Sequence, residues 1–238
     1  AMTAFTMQVS QNQYLAPGAP LVHAVVSVSS SRDGPGATGR NRPLVEALLV
    51  DCSQSMTGDR IDNAKAALER TIDLLREDAW FCVIAGTDTA RVAFPLSQAT
   101  PTNKRAAHAA VRRLHAAGGT AMSTWLALTL EEFRKMPAAI HHALLLTDGK
   151  NEGEPDERLV AVLQACEGQF QCDARGVGTG WTPDQLRMIS GKLLGTVDII
   201  PHPRDIEADF RKVIETALDK SVTDVRLRLW TPQGASLE

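Results

Sequence analysis

Val45-Glu46-Ala47-Leu48-Leu49-Val50-Asp51-Cys52-Ser53-Gln54-Ser55 runs from an apolar stretch straight into an acid and two hydroxyls spaced two apart. A short apolar run of this kind fits a strand buried on both faces of a parallel sheet. In an open α/β sheet, ligands bind outside the carboxyl ends of the strands, and Asp51, Ser53 and Ser55 fall there. Two later segments carry further oxygen donors: Gly118-Gly119-Thr120, and Asp148 at the end of Ala143-Leu144-Leu145-Leu146-Thr147. Five oxygen donors from three chain-distant loops point to one divalent cation.

Outward from this stretch, strands alternate with helical segments from about Arg42 to Lys220, the pattern of an α/β fold with a mostly parallel sheet. A helix is expected over Arg60–Arg76, capped by Asp59 or Thr57, with Ile61, Ala64, Leu68, Ile72 and Leu75 as its apolar stripe. Trp80–Ala85 and Thr89–Phe94, joined by Gly86-Thr87-Asp88, read as a hairpin that adds one antiparallel edge strand. Helices are expected over Asn103–His115, Ser123–Lys135, Leu159–Cys166, Gln185–Ser190 and Ile206–Leu218, and strands over His142–Leu146, Phe170–Val177 and Thr196–Ile200. The ends differ. Phe5–Val9, Val22–Ser29 and Val225–Trp230 alternate apolar and polar residues, and Ser30–Asn41 reads as a linker. The expected organisation is therefore an N-terminal β segment and linker over 1–41, an α/β domain over 42–221, and a C-terminal β segment over 222–238. The segments at the two chain ends would pair into a small antiparallel unit.

Composition sets few limits and excludes some classes. At 238 residues, 44% hydrophobic and 22% charged, the chain is ordinary for a globular protein. A net charge of -3 argues against nucleic acid or an anionic membrane as partner. No apolar run approaches the ~20 residues that span a bilayer. The amino terminus lacks the basic start and apolar core of a secretory signal, so a cytoplasmic location is expected, although Ala1-Met2 reads as a cloning remnant and leaves room for an upstream leader. The four cysteines are too few for a disulfide framework. Cys52 and Cys82 read as small buried hydrophobes, while Cys166 and Cys172 stand close enough for a local bridge, with reduced thiols favoured. Lys104, Arg105, Arg112 and Arg113 read as a solvated helix face. His141-His142 begin a strand and lack a spaced third metal ligand.

Magnesium wants near-octahedral oxygen coordination and keeps several waters. Two serines, a threonine and two carboxylates suit it: neutral hydroxyls bind directly while Asp51 and Asp148 hold metal-bound waters. An ion so incompletely neutralised attracts an external carboxylate. Asp51-Cys52-Ser53-Gln54-Ser55, Thr120 after Gly118-Gly119, and Leu146-Thr147-Asp148-Gly149 together resemble the von Willebrand factor A domain with an intact metal-ion-dependent adhesion site, bacterial type. The resemblance covers about Arg42 to Lys220. It implies a Rossmann-like, doubly wound sheet and a Mg²⁺ or Mn²⁺ ion. By position it implies Ser53, Ser55 and Thr120 as hydroxyl ligands, with Asp51 and Asp148 as water-mediated or switching ligands. The implied partner is a protein supplying a carboxylate to the metal, with the oligomeric state left open.

Two rival functions compete with this non-enzymatic one. A phosphatase using Asp51 as nucleophile needs a second carboxylate two residues on, where Ser53 stands, and Cys52 as nucleophile lacks a nearby histidine. An accessory subunit of an ATPase or kinase system is the other rival, by family analogy alone. The chain has no phosphate loop, and Gly176-Val177-Gly178-Thr179-Gly180 is spaced wrongly for a dinucleotide turn, so nucleotide chemistry would belong to a partner.

Overall fold

The chain divides into two compact units, residues 1–42 and 43–238. The computed structural model describes residues 4–11, 23–31, 42–148, 151, 153–177, 183–218 and 230. In the first unit, β1 (Ala4–Gln11) pairs antiparallel with β2 (Ala24–Ser31), setting Met7 opposite Val28 and Val9 opposite Val26. Met7, Val9 and Val28 are exposed. The pairing found is thus between the two N-terminal strands themselves. The alternating C-terminal segment, Trp230 apart, lies outside the described residues.

The second unit is built on β3 (Leu44–Asp51), buried along its whole length. Four other strands lie parallel to it or to one another: β4 (Trp80–Gly86), β6 (Ile140–Thr147), β7 (Gln171–Val177) and β8 (Val197–Ile200). The antiparallel edge strand β5 (Ala90–Gln98) completes the order β5-β4-β3-β6-β7-β8. β5 runs further than the sequence suggests, through Pro95. Proline is tolerated because this strand is at an edge and its pairing with β4 slips in register there.

Helices cover both faces. On one side α1 (Asp59–Leu74), α2 (Pro101–Arg112) and α6 (Ile206–Leu218) pack Leu68, Ile72, Val111, Phe210 and Ile214 with Leu48, Val50, Leu144 and Leu146 of the sheet. On the other, α3 (Met122–Arg134), α4 (Asp156–Cys166) and α5 (Pro183–Lys192) pack Trp125, Phe133, Leu159 and Ile189 with Val45, Ala47, Leu49 and Ile84. Alternate residues of β3 point to opposite layers, and both layers are apolar. That is why the strand reads as a run rather than an alternation.

Boundaries moved where capping chemistry was misread. Neither Asp59 nor Thr57 caps α1; Gly58, at φ +81°, turns the chain into it and Asp59 is its first residue. Thr100 caps α2 by accepting from the Asn103 amide at 3.3 Å, which starts that helix at Pro101. Its basic residues are paired. Arg112 meets Glu69 at 2.7 Å, and Lys104 donates to the carbonyls of Asp73 and Leu75. All four cysteines are free and buried, so Cys166 and Cys172 are not bridged.

Candidate metal centre

In the strand order, the connections leave β3 towards β4 on one side and β6 towards β7 on the other. The crevice where they part is the usual ligand site of such sheets. It lies between the carboxyl ends of β3 and β6, which end in Asp51 and in Thr147, next to Asp148.

Backbone hydrogen bonds stitch three loops together there. The Ala117 amide donates to the Cys52 carbonyl at 2.7 Å, and the Gln54 amide to the Gly118 carbonyl at 2.9 Å. The Gly153 amide reaches the Thr120 carbonyl at 2.8 Å. Asp88, in the β4–β5 turn, accepts from the Gly119 amide at 2.7 Å. Glycine is required at this bend. Gly118 sits at φ +79°, and a Cβ on Gly119 would come within 2.3 Å of Asp88 Oδ1. The α3 amino terminus has no side-chain cap of its own. It borrows them: Asn151 Oδ1 accepts from the Met122 amide at 2.7 Å and Glu154 from the Ser123 amide at 2.8 Å. Thr120 and the segment after Asp148 are therefore tied to one helix end.

The five residues split into a buried floor and an open rim. Asp51, Ser53, Thr120 and Asp148 are buried, and Ser55 is exposed. Asp51 accepts from the Ser53 amide at 2.7 Å and from the Thr147 hydroxyl at 2.5 Å. Burial pushes its carboxyl above the usual range, against the hydrogen bonds from Ser53 and Thr147 that favour the charge. The Ser55 hydroxyl donates to Asp148 Oδ1 at 2.7 Å, and Ser53 Oγ lies 3.0 Å from Ser55 Oγ. The other Asp148 oxygen accepts from the Arg60 guanidinium, which also reaches the Ser55 carbonyl at 3.2 Å. Among the described residues, no hydrogen bond engages the Thr120 hydroxyl.

This donor set fits a small, hard cation. Adjacent oxygens of an octahedron with bonds of ~2.1 Å lie about 3.0 Å apart, and Ser53 and Ser55 already hold their hydroxyl oxygens at 3.0 Å. With its proton on Asp148, Ser55 accepts from the Ser53 hydroxyl and keeps one lone pair for a ligand. Among the described residues no group of three or more His, Cys, Asp or Glu could hold a metal. The donors here are two carboxylates with hydroxyls, the set that hard cations prefer.

The structure thus links Ser53, Ser55 and Asp148 directly, seats Asp51 beneath Ser53, and brings Thr120 in through its loop. Sequence reasoning passed over Arg60, Thr147 and Asp88, whose roles depend on contacts 88, 96 and 31 residues away. Lys150, Gly149 and the 178–182 turn lie outside the described residues. Burial pushes the Cys52 thiol up to about 11, further from a thiolate nucleophile. His142 is no metal ligand. It is buried between Glu46 and Asp173, at 2.8 and 2.9 Å.

The von Willebrand factor type A domain family matches residues 47–198. A structure described as a von Willebrand factor type A protein from Catenulispora acidiphila superposes with a TM-score of 0.88 at 42% identity, over 98% of this chain and 54% of that one. An uncharacterized Synechocystis protein is 32% identical over 80% of this chain and 45% of its own length, and inter-alpha-trypsin inhibitor heavy chain H1 of Bos taurus is 27% identical over 75% and 21%. The mussel byssus proximal thread matrix protein 1, with a zinc-occupied MIDAS motif, shares the fold at TM-score 0.62 and 20% identity, over 75% of this chain and 46% of that one. The chain spans about half or less of the length of these relatives. No helix among the described residues is long and apolar enough to cross a membrane. With more than half of its residues matched and a Rossmann-like sheet between two helical layers, the chain belongs to the von Willebrand factor type A domain family, whose members are protein-interaction modules and not, in general, enzymes.

Proposed function

We propose that this domain binds a partner protein through a Mg²⁺ or Mn²⁺ ion held at the β3–β6 crevice. Ser53, Ser55 and Thr120 would be the hydroxyl ligands, and Asp51 and Asp148 would hold metal-bound waters. The ion would supply an electrophilic position for an acidic side chain of the partner. The observation that carries this reading is the 3.0 Å spacing of the Ser53 and Ser55 hydroxyls with Ser55 hydrogen-bonded to Asp148. The zinc-occupied MIDAS motif of the mussel byssus protein supports a divalent ion in this fold. Domain limits of 42–221, flanked by β segments at 1–41 and 222–238, are part of the same proposal.

Each residue has a separate task. Thr147 fixes the Asp51 carboxylate from below, Asp88 and the two glycines fix the Thr120 loop, and Ser55 presents its oxygen to solvent where a partner can reach. Calorimetric titration of chelator-stripped protein with Mn²⁺ is expected to show one site that Asp51→Ala abolishes. Equal binding by that variant would sink the assignment. Capture of the same partner with and without chelator would sink metal-mediated docking. No observation favours the hydrolase reading, and the accessory-subunit reading rests on family analogy.

A further inference from the structure

Arg60 is the one feature of the crevice that a metal-binding role does not explain. It lies in the first turn of α1, and its guanidinium is on Asp148, a carboxylate whose side chain is fully buried. The same nitrogen also reaches the Ser55 carbonyl at 3.2 Å. It therefore clasps two of the three loops that form the site. Asp148 uses one oxygen for the Ser55 hydroxyl and the other for Arg60.

The charges make this arrangement exclusive. Two carboxylates, Asp51 and Asp148, face the crevice, and the Arg60 guanidinium pairs with one of them. A divalent cation drawn to the same pair would sit beside a guanidinium on a shared carboxylate, in a pocket where burial weakens screening. The Asp148 oxygen that faces Arg60 is the one that Ser55 does not use, so Arg60 competes there with a metal or its bound water. Arg60 can yield this place at small cost, because its side chain is 41% exposed and reaches solvent.

We propose that Arg60 is an internal cation that occupies the metal's position at Asp148, so that metal uptake exchanges one cation for the other. This rests on the metal-site reading above. The guanidinium keeps the crevice assembled without metal and sets the concentration at which metal enters. On exchange it is released at the rim beside Ser55. Arg60 acts through Asp148 and is a positioning residue, not a ligand.

The test is Mn²⁺ binding to the full chain, with free Mn²⁺ counted by electron paramagnetic resonance in wild type, Arg60→Ala, Arg60→Lys and Asp51→Ala. Arg60→Ala is expected to bind about tenfold more tightly than wild type, the order expected for losing one competing, partly exposed charge-assisted pair. Arg60→Lys should fall between them, since it keeps the charge on a stem one atom shorter and meets Asp148 less closely. Asp51→Ala should not bind. If wild type binds and both Arg60 variants bind equally or more weakly, the exchange is overturned while the metal site stands. If neither wild type nor Arg60→Ala binds Mn²⁺, both fall together. Circular dichroism checks that the Arg60 variants are folded, and the lysine variant keeps the charge should alanine disturb α1.

Discussion

Replacing His142 by alanine should destabilise the domain by about 5 kcal/mol. The imidazole is fully buried, with Nδ1 2.8 Å from both oxygens of Glu46 and Nε2 2.9 Å from Asp173 Oδ2. An ionised carboxylate only accepts, so a ring that serves two of them donates from both nitrogens, as an imidazolium does. Asp173 keeps its bonds from the Thr196 amide and hydroxyl at 2.6 and 2.7 Å. Glu46, with no exposed surface, loses its two contacts with the ring. Removing one member of a buried ionic group costs about 3–5 kcal/mol, and the emptied ring volume adds about 1 kcal/mol. Urea unfolding of wild type, Glu46→Gln, His142→Ala and the double variant gives the coupling directly, expected near 2 kcal/mol because a neutral Glu46 no longer needs the cation. A loss below about 1 kcal/mol for His142→Ala, or additivity within about 0.5 kcal/mol, would refute the reasoning.

Burial pushes the Asp173 carboxyl up, but the His142 charge and the Thr196 hydrogen bonds outweigh it and hold the group well below its ordinary value of 3.8. The unfolded state therefore takes up the proton first as pH falls, and this contribution, complete above the ordinary value, is lost in acid. Asp173→Asn should be less stable than wild type at pH 7, and the gap should close below about pH 4 in acid titrations of urea midpoints; a gap that stays constant contradicts the shift. Gly86→Ala puts a Cβ 2.2 Å from the Trp125 ring, which is fully buried and donates to the Thr87 carbonyl at 2.8 Å. The crowding should cost about 1–3 kcal/mol and shift tryptophan emission, and an unchanged midpoint and spectrum would show that α3 gives way freely.

Much of the fold was legible because it is local. The apolar run before Asp51, the Gly86-Thr87-Asp88 turn and the helical stripe of α1 each carry their signal within a few residues. The candidate ligands were legible for a different reason: they stand immediately after strands or a glycine bend, where the chain direction alone places them at one sheet end. What holds them was not. Thr147 under Asp51, Asp88 behind Gly119 and Arg60 on Asp148 are tertiary contacts between residue types that singly read as a strand end, a turn and a solvated helix residue. The cap of α1 was misread because Thr57 and Asp59 both have capping chemistry, whereas the bend there depends on the positive φ of Gly58. His142 reads only as lacking a spaced third metal ligand, because its partners, Glu46 and Asp173, stand on other strands, 96 and 31 residues away.

Those same isolated polar residues bear on the site from the far end of the sheet. Glu46 is five positions before Asp51 on β3, about 16 Å at 3.3 Å per residue, too far to act on the crevice by charge. Its effect is on register. Ala47, Leu48, Leu49 and Val50 face Ala143, Leu144, Leu145 and Leu146 of β6, all apolar, so their packing distinguishes poorly between alignments two residues apart. Glu46 opposite His142 does distinguish them. A two-residue slip would set Glu46 against Leu144 and His142 against Leu44, leaving buried polar groups facing leucine. It would also move Asp51 about 7 Å relative to Asp148, well beyond the 2.7 and 3.0 Å contacts that join Ser53, Ser55 and Asp148. A buried ionic pair in an otherwise apolar parallel sheet thus specifies the one alignment in which the loop after β3 and the loop after β6 close on the same point.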